Sequence, residues 1–390
     1  MELTIGIVGA GIGGLAAAAL LADAGHRVTL VERFAVPRPL GSGLVVQPVG
    51  LAVLRAMGAE AEARALGAPI RRMLGHAGRK VVLDVHYRGQ AAGLAMHRAA
   101  LFDVLWQAVR ARGVNLVLGA AVMGRAGQHL LCEGAGPLGP FDLIVDASGA
   151  GSTLSPLVPR ALGFGAVWAS VPWPEATRLA GDQLTQRYAR ASRMAGILPI
   201  GCLPGGGARM AAVFWSLPLA ALDRWAEVDF QSWKAEVAGF WPEMAPFLAP
   251  LRDRAEMTPA RYGHGTLLRP WGEGIVHIGD AARRASPQLG QGANMALLDA
   301  MALRLALAMP GDLQAAPAAQ TAMRRWHRAV YQALSAALTP MYQSHSRTLP
   351  VLRDHLLAPL SRLPGVSHLL TALVSGDLLP PLAAQPWPEE

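Results

Sequence analysis

The chain has 390 residues, of which 52% are hydrophobic and 16% charged; this is a globular composition with more core than one typical domain builds, and it points to two intimately joined domains. The formal net charge of +8 is carried almost wholly by arginine, since Lys80 and Lys234 are the only lysines. The basic residues are scattered rather than clustered with aromatics, which argues against a nucleic-acid-binding protein and leaves solvated surface, or attraction to an anionic cofactor or membrane surface.

Cys132 and Cys202 lie far apart without metal-ligand spacing, so neither a disulfide framework nor a metal site is expected. The sequence offers no uninterrupted apolar run of about 18 to 20 residues for a transmembrane helix. Glu2 and the early glycines argue against a signal peptide, and a reducing cytoplasm is the expected location.

In chain order, Leu3 to Val8 reads as a buried strand, Gly9-Ala10-Gly11-Ile12-Gly13-Gly14 follows at once, and an alanine-rich helix runs to about Ala24. Gly25-His26 stops that helix, and Arg27 to Val31 forms a strand ending at Glu32. Strand, G-x-G-x-x-G, helix, strand and acid together make the full context of a dinucleotide fingerprint. Gly9 permits the tight turn, Gly11 lets the backbone approach a pyrophosphate, and Gly14 lets helix and strand pack closely. Glu32, 18 residues after Gly14, stands where a carboxylate binds a ribose diol. Another nucleotide-type ligand, such as a methyl donor, is the alternative on this turn.

The turn-rich segment Pro37 to Pro48 either lies against a cofactor ring or simply leads into a helix near Val49 to Met57. Residues 69 to 97 read as short alternating strands. His97-Arg98 starts a helix, Ala99 to Arg112, whose first arginine either pairs with a pyrophosphate or stands exposed. Val114 to Leu118, Ala121 to Met123 and His129 to Cys132 read as a small meander leading into the strand Phe141 to Asp146 and the turn Ala147-Ser148-Gly149-Ala150-Gly151-Ser152. Between about 160 and 270 the pattern changes to strands at Val167-Trp168-Ala169, Gly196 to Ile200 and Met210 to Trp215, with a helical piece near Pro218 to Phe240. Gly205-Gly206-Gly207 sits between two of these strands as a hairpin turn, so the chain holds one nucleotide fold.

Ile275 to Ile278 reads as a strand that ends in Gly279-Asp280, a loop carries Pro287, and Gly290 and Gly292 open an Ala/Leu/Met helix. Asp280, past the end of the strand, is free to accept from a ligand hydroxyl. The two glycines clear space for a flat ring, and the helix start turns its N–H groups to it, with a dipole contribution of roughly 0.3–1 kcal/mol toward negative charge. A strand, a turn and an ordinary core helix are the plain alternative. The helix continues from Ala300 to Ala337 with a break near Pro310, and the amphipathic tail from Leu338 either packs on its own domain or docks weakly on a membrane or partner.

Three stations together resemble the group A FAD-dependent aromatic hydroxylases, the family typified by para-hydroxybenzoate hydroxylase and including ubiquinone-biosynthesis hydroxylases. Gly9, Gly11, Gly13 and Gly14 with Glu32-Arg33 match the ADP-binding unit. Gly279-Asp280-Ala281-Ala282, Pro287 and Gly290-Gln291-Gly292-Ala293-Asn294 with Asp299-Ala300 match the second flavin motif. The middle station, Asp-Gly with a following Ser and Arg in the family, departs: Ser148-Gly149 stands for Asp-Gly, Ser152 fits, and Ser155 replaces the arginine. Arg283 stands where the family often has histidine.

The resemblance implies an α/β fold in which a Rossmann-like FAD-binding domain (1–70, 98–160, 271–337) is interleaved with an antiparallel-sheet substrate domain (71–97, 161–270), followed by a C-terminal helical segment (338–390). It implies FAD, with NADH or NADPH as transient reductant, and oxygen transfer through a flavin C4a-hydroperoxide to an aromatic or polyketide-like small molecule. It also implies Arg98 at the flavin pyrophosphate, Asp280 at the ribityl chain and the backbone from Leu289 to Asn294 at the pyrimidine edge. Substrate-side candidates are Tyr188, Arg209, Tyr262 and His264, with His86 and Tyr87; each is otherwise an ordinary polar residue, and the strands around Trp168 and Trp215 suit a hydrophobic ligand or a packed core equally. A flavin dehydrogenase or reductase, or a flavin-carrying partner subunit without turnover, is the alternative, whereas the W-x-W-x-I-P motif of the halogenase branch is absent around Trp168 to Pro172. A monomer or homodimer is expected.

Overall fold

The computed structural model describes residues 1–36, 43–87, 92–134 and 136–382. Pro37 to Ser42 of the turn-rich segment lie outside the described residues. The chain opens with β1 (Thr4–Val8), α1 (Ile12–Asp23) and β2 (Arg27–Glu32), where β-branched runs flank an alanine segment that begins at the Gly9 turn. Next come β3 (Gly43–Val46), α2 (Pro48–Ala56), α3 (Glu60–Leu66), β4 (Ala68–Ile70), β5 (Arg72–Ala77), β6 (Lys80–His86), β7 (Gly93–His97) and α4 (Arg98–Arg110). They are followed by β8 (Asn115–Leu118), β9 (Val122–Ala126), β10 (His129–Cys132) and β11 (Leu143–Asp146). The middle of the chain holds β12 (Arg160–Pro172), β13 (Gln183–Ala189), β14 (Arg193–Pro199), β15 (Met210–Pro218), α5 (Leu219–Asp223), α6 (Phe230–Phe240), α7 (Ala245–Leu248) and β16 (Thr258–Thr266). The last part holds β17 (Trp271–Gly272), β18 (Ile275–His277), β19 (Arg283–Arg284), α8 (Gly292–Ala308), α9 (Ala316–Tyr342), α10 (Leu349–Leu352), α11 (Ala358–Leu360) and α12 (Pro364–Ser375).

Among the described residues, one sheet runs in the order β17-β18-β11-β1-β2-β8, and every pair is parallel except β17 with β18. β1 is central, so Ile5 and Ile7 are fully buried. α1 packs between this sheet, α4 and α8, which is why it is apolar all round rather than amphipathic. A Cβ on Gly13 would stand 3.3 Å from Ala296 Cβ, so this glycine sets how closely α1 and α8 approach.

The second large sheet has the order β19-β16-β12-β15-β14-β13-β5-β6 and is antiparallel except where β13 meets β5. Strand alternation divides its side chains between two faces. Val167, Val213 and Trp215 face a core built with α6 and α7, around Trp233, Trp241 and Phe247. Trp168, Phe214 and Tyr188 face the other way, toward the C-terminal helices. β3, β7 and β4 form a small antiparallel sheet between the two.

Three sequence expectations need correction. The expected meander does not form: β8 leaves it to pair in parallel with β2, and only β9 and β10 make a hairpin. The reason lies at the open edge of β2, whose backbone groups need a partner that a local hairpin would not supply. β13 and β16 are strands that hydropathy does not mark, because their residues are mostly half-buried and polar. The helical piece near 218–240 is broken into α5 and α6 by a short 3-10 turn at Trp225–Glu227.

A buried carboxylate joins distant parts of this frame. Asp299 on α8, 1% exposed, accepts from the Gly279 N–H at 3.1 Å, from Arg283 Nη2 at 2.5 Å and from Arg324 Nε at 3.2 Å. Arg324, fully buried, also donates to the Pro381 carbonyl at 2.5 Å and to His327 Nδ1 at 3.0 Å. Burial, reinforced by the Arg324 charge, drives the His327 imidazole down to about 3, so the neutral ring donates through Nε2 to the Gly376 carbonyl at 2.7 Å. Burial would push the Asp299 carboxyl up, but Arg283, Arg324 and Arg328 outweigh it and hold it below the ordinary carboxylate range.

Asp299→Ala strands buried guanidinium groups and is expected to cost about 3–5 kcal/mol, read as a lower denaturation midpoint in urea. A depressed folded pKa places the sign: in the native protein this stabilisation is present above the unfolded carboxylate pKa and is lost as pH falls through the folded value.

Candidate functional site

The parallel strands β1, β2, β11 and β18 end at one edge, and that edge is where ligands bind in sheets of this kind. The turn after β1 is shaped by its glycines in three different ways. Gly9 has φ +99, and a Cβ there would meet the Ala147 carbonyl oxygen at 2.8 Å. A Cβ on Gly14 would meet the Gly9 carbonyl oxygen at 1.9 Å, so the helix can follow the turn only without a side chain. A Cβ on Gly11 would meet nothing within 4 Å; this glycine faces open space. Glu32, at the end of β2 and 9% exposed, accepts from the Ala10 N–H at 2.8 Å and the Phe34 N–H at 3.0 Å. Each oxygen keeps a further lone pair for a ligand hydroxyl. The neighbouring Arg33 is exposed, with its guanidinium 4.7 Å from the Phe34 ring centre.

The second loop faces the same edge. Gly290 has φ +61, and neither Gly290 nor Gly292 would meet an atom within 4 Å through an added Cβ. Pro287 begins the short 3-10 turn before them, and Ala293 is half-buried in the first turn of α8. Asn294 does not face outward: fully buried, it accepts from the Gln47 N–H at 2.8 Å and donates to the Val45 carbonyl at 3.2 Å and the Gly290 carbonyl at 3.3 Å. Tyr87 extends this clamp by donating to Gln47 Oε1 at 2.5 Å. α1 and α8 both begin without a side-chain cap, so their first-turn N–H groups are left for water or a ligand.

Arg98, which opens α4, and Asp280, in the turn after β18, are close enough for their charges to act on each other. Both keep solvent-accessible surface and yet are crowded by protein, the mark of side chains inside an open cleft. Burial pushes the Asp280 carboxyl up although Arg98 attracts its charged form, and burial pushes Arg98 down although Asp280 opposes it.

The altered middle station folds inward. Asp146 at the end of β11, fully buried, accepts from Ser148 Oγ at 2.5 Å, Ser152 Oγ at 2.7 Å and His277 Nδ1 at 2.7 Å. Burial alone would raise it, but His277 and the two serines hold its carboxyl low. Ser155 donates to the Ala281 carbonyl at 2.5 Å, tying this turn to the loop of Asp280. From that loop Arg284 donates to the Ala150 carbonyl. Sequence reading missed the Asp146–His277 pair, although both residues end strands that lead into glycine loops.

The substrate-side candidates are not brought together. Tyr262 and His264 lie on β16 near the second loop: Tyr262 accepts from Trp168 Nε1 at 2.9 Å, and His264 Nε2 accepts from the Ser286 N–H at 2.8 Å. Tyr188 is buried beneath the tail, against Tyr342. Arg209 is exposed at the far end of the large sheet, where it donates to the Gly181 carbonyl at 3.4 Å, and His86 is exposed beside Asp84. Beside Tyr262, the half-buried Trp168 packs on the buried Phe214, with ring centres 4.5 Å apart.

Two uncapped helix starts, an open glycine turn, a ribose-ready carboxylate and an Arg98–Asp280 cleft fit an elongated dinucleotide with a flat ring. The model of the FAD binding domain matches residues 2–123 and 255–335, more than half of the chain. The chain belongs to the family of FAD-dependent monooxygenases. It is 28% identical to the 2-heptyl-3-hydroxy-4(1H)-quinolone synthase of Mycobacteroides abscessus over 91% of this chain and 94% of that protein. It is also 28% identical to the aurachin C monooxygenase/isomerase of Stigmatella aurantiaca, over 83% of this chain and 85% of that one. Among solved structures, a variant of 2-methyl-3-hydroxypyridine-5-carboxylic acid oxygenase superposes with a TM-score of 0.79 at 21% identity, covering 100% of both chains. The protein is thus a flavin-dependent oxidoreductase with the α/β fold of that family and a C-terminal helical segment.

The two kinds of glycine separate folding from cofactor binding. Gly14→Ala is expected to lower the stability of the FAD-free protein by about 1–3 kcal/mol or more, whereas Gly11→Ala leaves its melting temperature unchanged and weakens FAD binding. Thermal melting of both stripped variants, with and without FAD, checks the split. Asp280→Ala is expected to weaken FAD binding by roughly 1.5–3 kcal/mol, about ten- to hundredfold in Kd. Its FAD-free melting temperature does not fall, because an ionised carboxylate with a raised folded pKa costs folding energy at neutral pH.

Proposed function

We propose that the chain monooxygenates a hydrophobic aromatic or N-heteroaromatic small molecule, with electrons taken from NADH or NADPH. The redox chemistry belongs to FAD when bound, which carries the electrons to dioxygen so that one oxygen atom enters the substrate and the other leaves as water. Arg98 would hold the pyrophosphate, and Glu32, oriented by the Ala10 N–H, would hold the ribose diol. Asp280 would accept from a ribityl hydroxyl. The N–H groups that open α8 would face the pyrimidine edge, with Gly290 and Gly292 leaving room and the helix start favouring negative charge there. Asn294 would act one step back, holding the β3 end and the Gly290 carbonyl in place.

The observation that carries this reading is the approach of two uncapped helix starts, with Gly13 against Ala296, in a chain whose second sheet has an apolar face. That face reaches the cofactor side at two points: the Ile200 carbonyl accepts from the His97 N–H at 2.8 Å, next to Arg98, and β19 continues the sheet from the Asp280 loop. The half-buried Trp168, backed by the buried Phe214, would supply part of the dry wall that oxygen transfer needs, since water would divert the reduced oxygen to hydrogen peroxide. A relative named as the synthase of 2-heptyl-3-hydroxy-4(1H)-quinolone supports a ring carrying an apolar chain. In the same reading, residues 1–70, 98–160 and 271–337 carry the cofactor, and 71–97 and 161–270 the substrate. Cys132 and Cys202, both free, suit a reducing compartment such as the cytoplasm.

Purified protein loaded with FAD is expected to consume oxygen with NADH or NADPH when given a 2-alkyl-4-quinolone or a related phenol, and the product carries one atom from labelled dioxygen. Product without the label, or hydrogen peroxide matching all nicotinamide consumed with every compound of the panel, would overturn the reading.

A further inference from the structure

Arg353 fixes how the C-terminal tail lies. Its side chain, 1% exposed, places the guanidinium 5.0 Å from the Tyr188 ring centre and 5.1 Å from that of Tyr342, and donates to the Met341 carbonyl at 2.9 Å. Pro350 and Ala358 are buried with it. With these residues turned inward, the other side of the segment must face out. Val351, Leu352, Leu356, Leu360 and Leu363 are 57%, 39%, 50%, 40% and 52% exposed. From Leu352 onward these leucines recur every three or four residues, and the wide π turn at Arg353–Leu357 carries them past the buried arginine on one side. Aliphatic side chains grouped this way are not the scattered exposure of an ordinary surface.

Cations border this side. Lys80, Arg190, Arg347 and Arg362 are all exposed. Arg190 and Arg347 share a groove with Val351 and His355, and Lys80 Nζ comes within 3.1 Å of His355 Nε2. Arg362 donates to the Val81 carbonyl at 3.3 Å, which holds it at the rim. Asp354, the carboxylate in that groove, is engaged by Arg353 at 2.6 Å. A row of aliphatic side chains bordered by cations that make no ion pair among the described residues complements an anionic lipid surface: the side chains enter the acyl boundary and the cations meet headgroup phosphates. Among the described residues no helix is long and apolar enough to cross a membrane, so the contact lies along the surface.

We infer that this face of the C-terminal tail docks the enzyme on an anionic bilayer. The inference does not rest on which molecule is oxygenated. It is tested by floating the full, FAD-loaded chain with vesicles of phosphatidylcholine alone and of phosphatidylcholine with roughly a third phosphatidylglycerol. Flotation is expected with the anionic vesicles and about tenfold weaker with the neutral ones. Leu356→Glu with Leu360→Glu abolishes it, and Lys80→Glu with Arg347→Glu weakens it at least about fivefold per charge; bound FAD is retained in both. Absence of flotation, equal flotation with both vesicles, or unchanged flotation of the leucine variant overturns the inference. So does a dimer in sedimentation that the leucine variant dissolves while no vesicle binding is seen, since a second copy is then the occupant.

Discussion

The carboxylate of Asp299 is the point on which the flavin side of the molecule depends. It lies in α8, yet it receives the Gly279 N–H from the loop after β18, Arg283 from the same loop, and Arg324 from α9. Arg324 in turn reaches the Pro381 carbonyl, and its neighbour His327 reaches Gly376. One buried charge therefore sets the position of the Asp280 loop, the start of α8 and the segment from Gly376 to Pro381. Burying it is expensive by itself, and the three surrounding arginines are what make it tolerable. Because the cluster has one carboxylate for three guanidiniums, the α8 region carries positive potential on top of its helix dipole. An electron-rich ring edge gains from both.

The nucleotide half was legible because its physics is local. Gly9, Gly11 and Gly14 occupy fixed offsets in a strand–turn–helix unit: an added Cβ would meet backbone within 3 Å at Gly9 and Gly14, whereas at Gly11 it would meet only open space. Glu32 was equally readable from its place at the end of β2. The clamp of Gln47, Tyr87 and Asn294 was not, since it joins residues 247 positions apart through side-chain and backbone groups that no periodicity marks. The large sheet was half legible: β12, β14 and β15 carry apolar runs, but β13 and β16 alternate weakly and have meaning only as partners of strands already placed. β8 shows the same limit from the other side, for its residues read as a strand while its partner, β2, lies far earlier in the chain.

The departures from the family pattern resolve into a consistent local arrangement. Ser148 and Ser152 turn onto Asp146, and His277 meets the same carboxylate, so a charge that would otherwise be stranded at the sheet end is fully bonded. Ser155 then closes the turn onto the Ala281 carbonyl, and Arg284 reaches the Ala150 carbonyl from the opposite loop. The middle station thus spends its polar groups on holding two loops together. Arg283 likewise points into the protein, toward Asp299 and the Met295 carbonyl at 3.2 Å, so its charge acts on the site through α8 rather than by direct contact.

Such an arrangement links cofactor binding to long-range assembly. The cleft has one wall from the first 32 residues and the other from residues beyond 278, and the walls meet where Gly13 lies against Ala296. A ligand that touches both walls binds only the assembled state, so it stabilises the contact between segments far apart in sequence by mass action. The uncapped starts of α1 and α8 sharpen this link. Capping each helix with its own side chain would make the FAD-free protein more stable, by roughly 0.5–2 kcal/mol per helix, but it would also place a competitor in the way of any anionic ligand at those ends. With both ends open, a ligand bound there would supply part of the folding energy, and at Gly11, Gly290 and Gly292 an added Cβ would meet only open space.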